Sequence, residues 1–228
     1  MNSKSICIVL PALNEEENIV KVITEIPGAE LEKRGYSVKI LVVDNNSTDL
    51  TAKLARDSGA EVITETRKGK GNAIRTGFQQ AKADFVFMLD ADYTYPGNHI
   101  PELLDLLLEG YDVVIGSRLK GNRAKGSISR MNIVGNHLLT SMAAVLYFHR
   151  ISDLCTGYWA FRGDLLSELR LSAVGFELEA DLFTQVVKKG YRLGEVPIYY
   201  RRRRTATKLN SIRSGFRIAW KLLSNRFH

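Results

Sequence analysis

Cysteine, proline and long apolar runs are all scarce in this sequence of 228 residues. Its two cysteines, Cys7 and Cys155, form no CxxC pair and no metal-site pattern with histidine, which excludes a disulfide-stapled scaffold and a zinc site of familiar spacing. With only five prolines and 45% hydrophobic residues, the chain is neither disordered nor collagen-like. We expect one globular domain with reduced thiols, located in the cytoplasm.

The segment 131–148 carries no formal charge over 18 positions, but five polar side chains interrupt it. A bilayer span needs about 20 predominantly apolar residues. We therefore predict that this segment is part of the core or an interfacial hairpin, not a transmembrane helix. The first ten residues run into Pro11 and three successive glutamates, so we expect no signal peptide.

Acidic residues are absent after Glu195, whereas nine of the 32 Lys and Arg follow it. This imbalance indicates a polyanionic partner such as phosphate, anionic lipid or nucleic acid, although a solvated basic helix would also explain it. Residues 211–228 have the period of a basic amphipathic helix that lies on a membrane without crossing it. The apolar side of that helix consists of Ile212, Phe216, Ala219, Trp220, Leu223 and Phe227.

Short apolar runs alternate with segments of helical period through the first half of the chain. The alternation predicts an α/β fold, with a mostly parallel sheet covered by helices on both faces. The predicted strands are 5–10, 38–43, 61–64, 85–89 and 113–115, and the predicted helices are 15–26, 50–58, 73–81 and 100–108.

Polar residues follow the predicted strands, at the sheet edge where open α/β proteins bind ligands. Asn14 and Glu17 could cap the next helix. Asp44 is placed for a ribose hydroxyl or a base edge, although turn chemistry explains it equally well. Asp90 and Asp92, two residues apart, share one face and could hold a hard cation that also binds phosphates, unless they are solvated turn acids.

The common phosphate-binding loops are missing. The chain has no GxxxxGK[ST] motif, and the segment 69–74 has isoleucine where GxGxxG requires its third glycine. Dinucleotide and P-loop folds are therefore not expected. The segment 67–71 (RKGKG) could still place cations and backbone amides near a diphosphate.

Seven motifs stand in the order typical of one enzyme family. The chain resembles glycosyltransferase family 2, the inverting GT-A-fold enzymes, and within it the dolichyl-phosphate mannose synthase type. The motifs are PALNEEENI from Pro11, VVDNNSTD from Val42, RKGKGNA from Arg67, LDADYTYP from Leu89, VIGSR from Val114, DLCTGYWAFR from Asp153 and EVPIYYRRRRTATKL from Glu195.

The resemblance implies a site and a domain layout. It implies a Rossmann-like GT-A domain over 1–210 with a possible interfacial segment at 131–150, followed by the tail helix 211–228. Thr94 replaces a family glutamine that binds metal, and the RxGxSKL ending loses its glycine. The implied metal ligands for Mg²⁺ or Mn²⁺ are Asp90 and Asp92; the implied nucleotide contacts are Pro11, Leu13, Asn14, Glu15, Asp44, Lys70, Asp90, Ala91 and Asp92; and the implied catalytic residues are Asp92, Arg118, Arg130, Arg203 and Lys208.

The implied reaction transfers a sugar from GDP-mannose or a UDP-hexose to dolichyl or another polyprenyl phosphate, on the cytoplasmic face of an anionic membrane. A phosphate monoester needs no general base, because its second pKa is about 6. It needs cations to hold two anions together, and the arginine-rich motifs supply them. We expect no nucleic acid partner.

Three other functions compete with this hypothesis. A family 2 enzyme with a sugar hydroxyl acceptor would need a carboxylate base, and Glu177, Glu179 and Asp181 are candidates, although they also suit the first turn of a helix. A nucleic-acid-binding module would use the basic tail without needing the acidic strand ends. A nucleotidyltransferase is disfavoured, since no Gly-rich, Arg-containing loop follows the first strand.

Overall fold

The computed structural model of the protein describes residues 3–203 and 211–227. Within these ranges the chain forms seven strands, and five of them match the predicted ones to within a few residues. The strands are β1 (Lys4–Ala12), β2 (Tyr36–Asp44), β3 (Glu61–Thr64), β4 (Phe85–Met88), β5 (Val113–Ser117), β6 (Trp159–Arg162) and β7 (Leu193–Pro197).

Eight α-helices occur in the same ranges, together with 3-10 turns at Gly97–His99 and Gly163–Glu168. The helices are α1 (Ile19–Glu25), α2 (Gly28–Lys33), α3 (Thr51–Asp57), α4 (Lys70–Gln80), α5 (Ile100–Leu108), α6 (Arg130–Tyr147), α7 (Leu178–Lys188) and α8 (Ser211–Phe227).

All seven strands belong to one sheet, in the order β3-β2-β1-β4-β6-β5-β7. The pairings are parallel except for β6, which runs antiparallel to both β4 and β5. Ala12 at the end of β1 is in register with Asp44 at the end of β2. The prediction of a mostly parallel α/β sheet is confirmed, and the carboxyl ends of β1, β2 and β4 meet at one edge.

Alternate residues of each strand feed two hydrophobic layers, one on each face of the sheet. In β1, Cys7 and Val9 face the layer that includes residues of α4, α6, α7 and α8, whereas Ile6 and Ile8 face the layer that includes residues of α1, α2, α3 and α5. Both faces of the central strands are buried, which explains why their sequences are almost continuously apolar.

The segment predicted as core or an interfacial hairpin forms one continuous helix, α6, of 18 residues. The Oγ of Ser129 caps it by accepting from the amide of Asn132 at 3.2 Å. Asn136 and Thr140, one turn apart, are buried together with Ala143 and Tyr147. Asn136 and Thr140 therefore belong to the buried side of one helix and do not mark a turn, so the hairpin alternative is wrong.

The tail helix forms as predicted and packs on α6 and α7 through Ile218 and Leu222. The Tyr147 hydroxyl donates to the carbonyl of Leu222 at 2.8 Å and fixes α8 on α6. The predicted apolar side of α8 points outward, and its large hydrophobic side chains are exposed. Among the described residues, no helix has both the length and the apolarity required to cross a bilayer.

The predicted capping of α1 is wrong. The helix begins at Ile19, its N-cap residue is Asn18, and no side chain caps it. Asn14 has a left-handed backbone, with φ 49°, and its Oδ1 accepts from the amide of Thr48 at 2.8 Å. Asn14 therefore joins two loops instead of starting a helix.

Candidate active site

The loops after β1 and β2 form one rim at the carboxyl edge of the sheet. The amide of Asn14 donates to the Oγ of Ser47 at 2.9 Å, and the amide of Glu15 donates to the Oγ1 of Thr51 at 2.8 Å. Glu15 and Asp44 are both buried at this rim. The structure thus brings together the predicted nucleotide residues of the two loops, including Pro11 and Leu13 at the end of β1.

The first acidic residue after β4, Asp90, is paired with a lysine from the start of α4. The Nζ of Lys70 lies 2.6 Å from Asp90 Oδ1 and 2.7 Å from Glu179 Oε1 in α7. Burial lowers the pKa of Lys70, but the two carboxylates outweigh it and raise that pKa above its ordinary value. Lys70 is therefore a protonated, largely buried cation at the centre of the site.

The second acidic residue, Asp92, is paired with an arginine of the C-terminal segment. Arg203 Nη1 lies 3.1 Å from Asp92 Oδ2, and its Nη2 lies 2.9 Å from Glu15 Oε1. Thr94 donates to Asp92 Oδ1 from both its amide and its hydroxyl. One guanidinium thus bridges the carboxylate after β4 and the glutamate of the β1 rim.

Asp90 and Asp92 suit a divalent cation of the magnesium type. Burial and the charge of Asp90 raise the pKa of Asp92, and an added cation would relieve that repulsion. A Cβ placed on Gly157 would lie 2.7 Å from Asp90 Oδ2, so a glycine at this position permits the close approach of the Asp90 carboxylate. The described residues contain no group of three His, Cys, Asp or Glu around a metal position, so a diphosphate and water would complete the shell.

Arg118, predicted as a phosphate-binding cation, lies in a buried ion pair. Its Nε and Nη2 donate to Asp153 at 2.8 and 2.7 Å, and its guanidinium lies 5.3 Å from the ring centre of Tyr200. Asn136 of α6 donates to the same carboxylate at 2.6 Å. Arg118 therefore also holds the end of β5 against α6.

The remaining predicted cations lie in different surroundings. Arg130 is the exposed first residue of α6. Arg201 pairs with Glu25 and stacks on Tyr93, with its guanidinium 4.2 Å from the ring centre, whereas Arg202 is exposed. Within the described part of the 201–204 run, Arg203 is the residue that pairs with the site carboxylates. The predicted phosphate ligand Lys208 lies outside the described residues.

The glycine-rich segment 67–71 matches its prediction only in part. The amide of Gly69 donates to Asn45 Oδ1 at 2.8 Å, and the amide of Gly71 donates to the carbonyl of Val174 at 2.9 Å. A Cβ on Gly71 would lie 2.1 Å from the carbonyl of Ala173. The Gly69 and Gly71 amides already have protein acceptors, so this part of the prediction is not supported, whereas the predicted cation Lys70 does reach Asp90. Gly71 permits the close approach of the 172–175 loop.

The three candidate bases lie in distinct environments. Glu177 accepts from the amides of Val174 and Gly175 at 3.2 and 3.1 Å, whereas Asp181 accepts from those of Ser172 and Ala173, both at 2.7 Å. Both residues therefore fix the loop before α7, and Glu179 reaches the site through Lys70.

Sequence reasoning missed Asp153 and Asn136 as partners of Arg118, and Ala91 proves to be buried in the core between the two carboxylates. The helix and strand periods in the sequence relate only residues that are close along the chain, so they could not predict that Asp153 and Asn136 meet Arg118. Polar residues within otherwise apolar segments were the available signal.

Comparison with known proteins identifies the family. The model of the family described as "Glycosyl transferase family 2" matches residues 7–170, which is more than half of the chain. The chain belongs to glycosyl transferase family 2. The matched region contains the rim loops, Lys70, Asp90 and Asp92. Arg203 and α8 lie after it.

Curated relatives agree with this assignment. The chain is 35% identical over 214 residues to "Glycosyltransferase AglJ" of Haloferax volcanii, covering 92% of this chain and 68% of AglJ. It is 32% identical over 210 residues to the "Dolichyl-phosphate hexose transferase" of the same organism, covering 92% of this chain and 89% of that protein.

A solved glycosyltransferase structure confirms the GT-A fold. Glucosyl-3-phosphoglycerate synthase from Mycobacterium tuberculosis, in complex with Mn²⁺, UDP-glucose and phosphoglyceric acid, superposes with a TM-score of 0.79 and 26% sequence identity. The likeness covers 98% of this chain and 80% of the synthase. The protein is thus a family 2 glycosyltransferase with a GT-A fold.

Proposed function

We propose that this family 2 enzyme transfers a hexose from a nucleoside-diphosphate sugar to the phosphate of a polyprenyl lipid such as dolichyl phosphate, with inversion at the anomeric carbon. The supporting observation is that the candidate bases are already engaged, whereas a guanidinium reaches the site. Glu177 and Asp181 accept backbone amides, Glu179 pairs with Lys70, and Arg203 contacts Asp92. Cations around an acceptor suit a phosphate better than a hydroxyl.

The donor would bind across the rim loops and the carboxylates after β4. Asp90 and Asp92 would hold Mg²⁺ or Mn²⁺, which supplies Lewis-acid stabilisation of the departing diphosphate when it is bound. Glu15 and Asp44, buried at the rim, would orient the nucleoside. The synthase that superposes on this chain was crystallised with Mn²⁺ and UDP-glucose, which supports a donor of this class.

Arg203 would bring the acceptor phosphate and the donor diphosphate together. Its guanidinium presents several N–H donors in a planar fork that matches phosphate oxygens, and it already reaches the metal-binding carboxylate. Arg118, Arg130 and Lys208 remain predicted contributors. Removing one donor that acts in the transition state typically costs about 3–4 kcal/mol.

The lipid acceptor requires contact with a membrane, and α6 and α8 offer a surface for it. We name this surface the α6/α8 face. It has no acidic residue on either helix, and basic residues such as Arg213 and Arg217 border it. Such a face suits the interface of an anionic leaflet, where each Lys or Arg near the surface contributes about 1 kcal/mol. The exposed hydrophobic residues are Met131, Val134, Leu138, Val145, Phe148, Ile212, Phe216, Trp220, Leu223 and Phe227.

A hydroxyl acceptor is the second candidate. Glu179 lies inside the site, and the superposed synthase is named for a phosphoglycerate acceptor. In this case Glu179 would have to leave Lys70 and take the hydroxyl proton.

One assay distinguishes the two candidates. Purified protein with Mn²⁺ is incubated with GDP- and UDP-hexoses and either polyprenyl phosphate in anionic vesicles or phosphoglyceric acid, and products are read by mass spectrometry. A polyprenyl-phosphate hexose supports the proposal, and the donor that yields it identifies the nucleotide and the sugar. Glycosylation of phosphoglyceric acid alone would contradict it and favour the hydroxyl acceptor.

A further inference from the structure

Lys70 is shared between two carboxylates that come from different parts of the fold. Asp90 follows β4, whereas Glu179 belongs to the first turn of α7, and the Lys70 ammonium lies within 2.7 Å of both. The side chains of Lys70 and Glu179 are only 13% and 8% exposed. Water screens charges weakly in such a site. The Lys70 ammonium therefore strongly affects the electrostatic potential that a metal ion would meet at the Asp90 carboxylate.

From this geometry we infer that Glu179 is a positioning residue of the donor site. It shares the Lys70 ammonium with Asp90 and offsets part of its positive charge, so that the Asp90 carboxylate can still attract the divalent cation. The inference rests on the proposed function, because it assumes that Asp90 and Asp92 bind that cation. Without the charge of Glu179, the ammonium would be left to Asp90 alone and would compete with the metal for it.

The packing around Glu179 supports a fixed role. Glu177 and Asp181, on either side of it, bind four amides of the 172–175 loop. That loop in turn accepts the amide of Gly71, the residue after Lys70. The two ends of the Glu179–Lys70 pair are thus joined by backbone contacts that hold their separation.

Asp90 is the member of the trio that a ligand would reach, because its side chain is 28% exposed and is the most exposed of the three. A Cβ on Gly157 would lie 2.7 Å from Asp90 Oδ2 and 3.2 Å from Lys70 Nζ. Asp90 Oδ1 pairs with Lys70, and Oδ2 packs against the backbone of Gly157, a close approach that a side chain at position 157 would prevent. Glu179 pairs with the same lysine, so it acts on the ligand through charge and not through contact.

The test measures Mn²⁺ binding directly, by electron paramagnetic resonance in the presence of a saturating nucleoside diphosphate. Glu179→Gln should weaken Mn²⁺ binding by about tenfold, the lower end of the range for residues that support metal ligands. Lys70→Met should strengthen it, because the competing ammonium is gone. In the Lys70→Met background, Glu179→Gln should no longer weaken Mn²⁺ binding, because its effect passes through Lys70.

Glu177→Gln is the matched control, since Glu177 is a buried glutamate that binds loop amides instead of Lys70, and a glutamine oxygen can still accept those two amides. Its Mn²⁺ affinity should equal that of the wild type, and thermal midpoints verify that each variant is folded.

Two results would overturn the inference. If Glu179→Gln binds Mn²⁺ like the wild type, while kcat falls and the acid limb of the pH–rate profile disappears, Glu179 is a general base instead. If the wild type itself binds no Mn²⁺ with either GDP or UDP, the proposed metal site fails and this inference fails with it.

Discussion

Replacing Phe216 and Trp220 of α8 by serine should release the protein from anionic vesicles without unfolding it. The two side chains are 76% and 69% exposed and lie on the α6/α8 face, away from the buried Ile218 and Leu222. Their loss therefore removes no core contact. We expect an unchanged thermal midpoint in the double variant.

The size of the effect follows from the exposed area. Burying a side chain of this size in an apolar medium contributes about 2 kcal/mol, and roughly three quarters of each side chain is available. The pair then contributes roughly 3 kcal/mol, which corresponds to about a hundredfold lower partition coefficient. Flotation with vesicles of anionic and neutral lipid, titrated at fixed protein concentration, measures this coefficient.

Leu108→Ser provides the control, because Leu108 is 48% exposed at the end of α5, on the opposite side of the sheet. It should bind vesicles like the wild type. Raising the salt concentration should weaken wild-type binding, since the basic residues beside the face act through screened charge. If the Phe216/Trp220 double variant floats as well as the wild type in moderate salt, α8 does not anchor the protein and the reasoning is refuted.

Three further predictions concern charges in and around the site. Asp92→Asn should abolish turnover in the mass-spectrometric assay. The fold should stay intact, because burial already disfavours the charged form of Asp92. Full wild-type activity in excess chelator would contradict the metal assignment. Asp153→Asn should destabilise the fold by about 3–5 kcal/mol in urea titrations, since Arg118 would remain as a buried, uncompensated charge. Although burial opposes ionisation of Asp153, the Arg118 guanidinium holds its pKa below the ordinary value. The ion pair therefore stabilises the protein above about pH 4, and this stabilisation is lost as the pH falls through the pKa of Asp153 in the folded protein. If the wild type is no more sensitive to acid than Asp153→Asn, this reasoning is wrong. Arg203→Gln should lower kcat by two to three decades, while the exposed Arg202→Gln stays within a few fold; equal losses would assign the effect to general charge instead of position.

Local patterns in the sequence determined much of the architecture. The alternation of apolar and helical segments predicted β1 to β5, and the period of residues 211–228 predicted α8 with its apolar side outward. The carboxylates after β4 were also recognisable, because strand ends at one edge of a parallel sheet converge whatever the details of packing. These features depend on residues that are close together along the chain, so their patterns can be read directly from the sequence.

Pairings between distant residues were decided by the tertiary structure alone. Lys70 and Glu179 are 109 positions apart, and Arg118 meets Asp153 across 35 positions. The antiparallel placement of β6 between β4 and β5 likewise depends on how the strands meet, not on the four residues of β6. A charged side chain shows its type in the sequence, but its partner is set by which helices and loops pack together. The pairing of the Glu179 carboxylate with the Lys70 ammonium at 2.7 Å is therefore visible only in the tertiary structure.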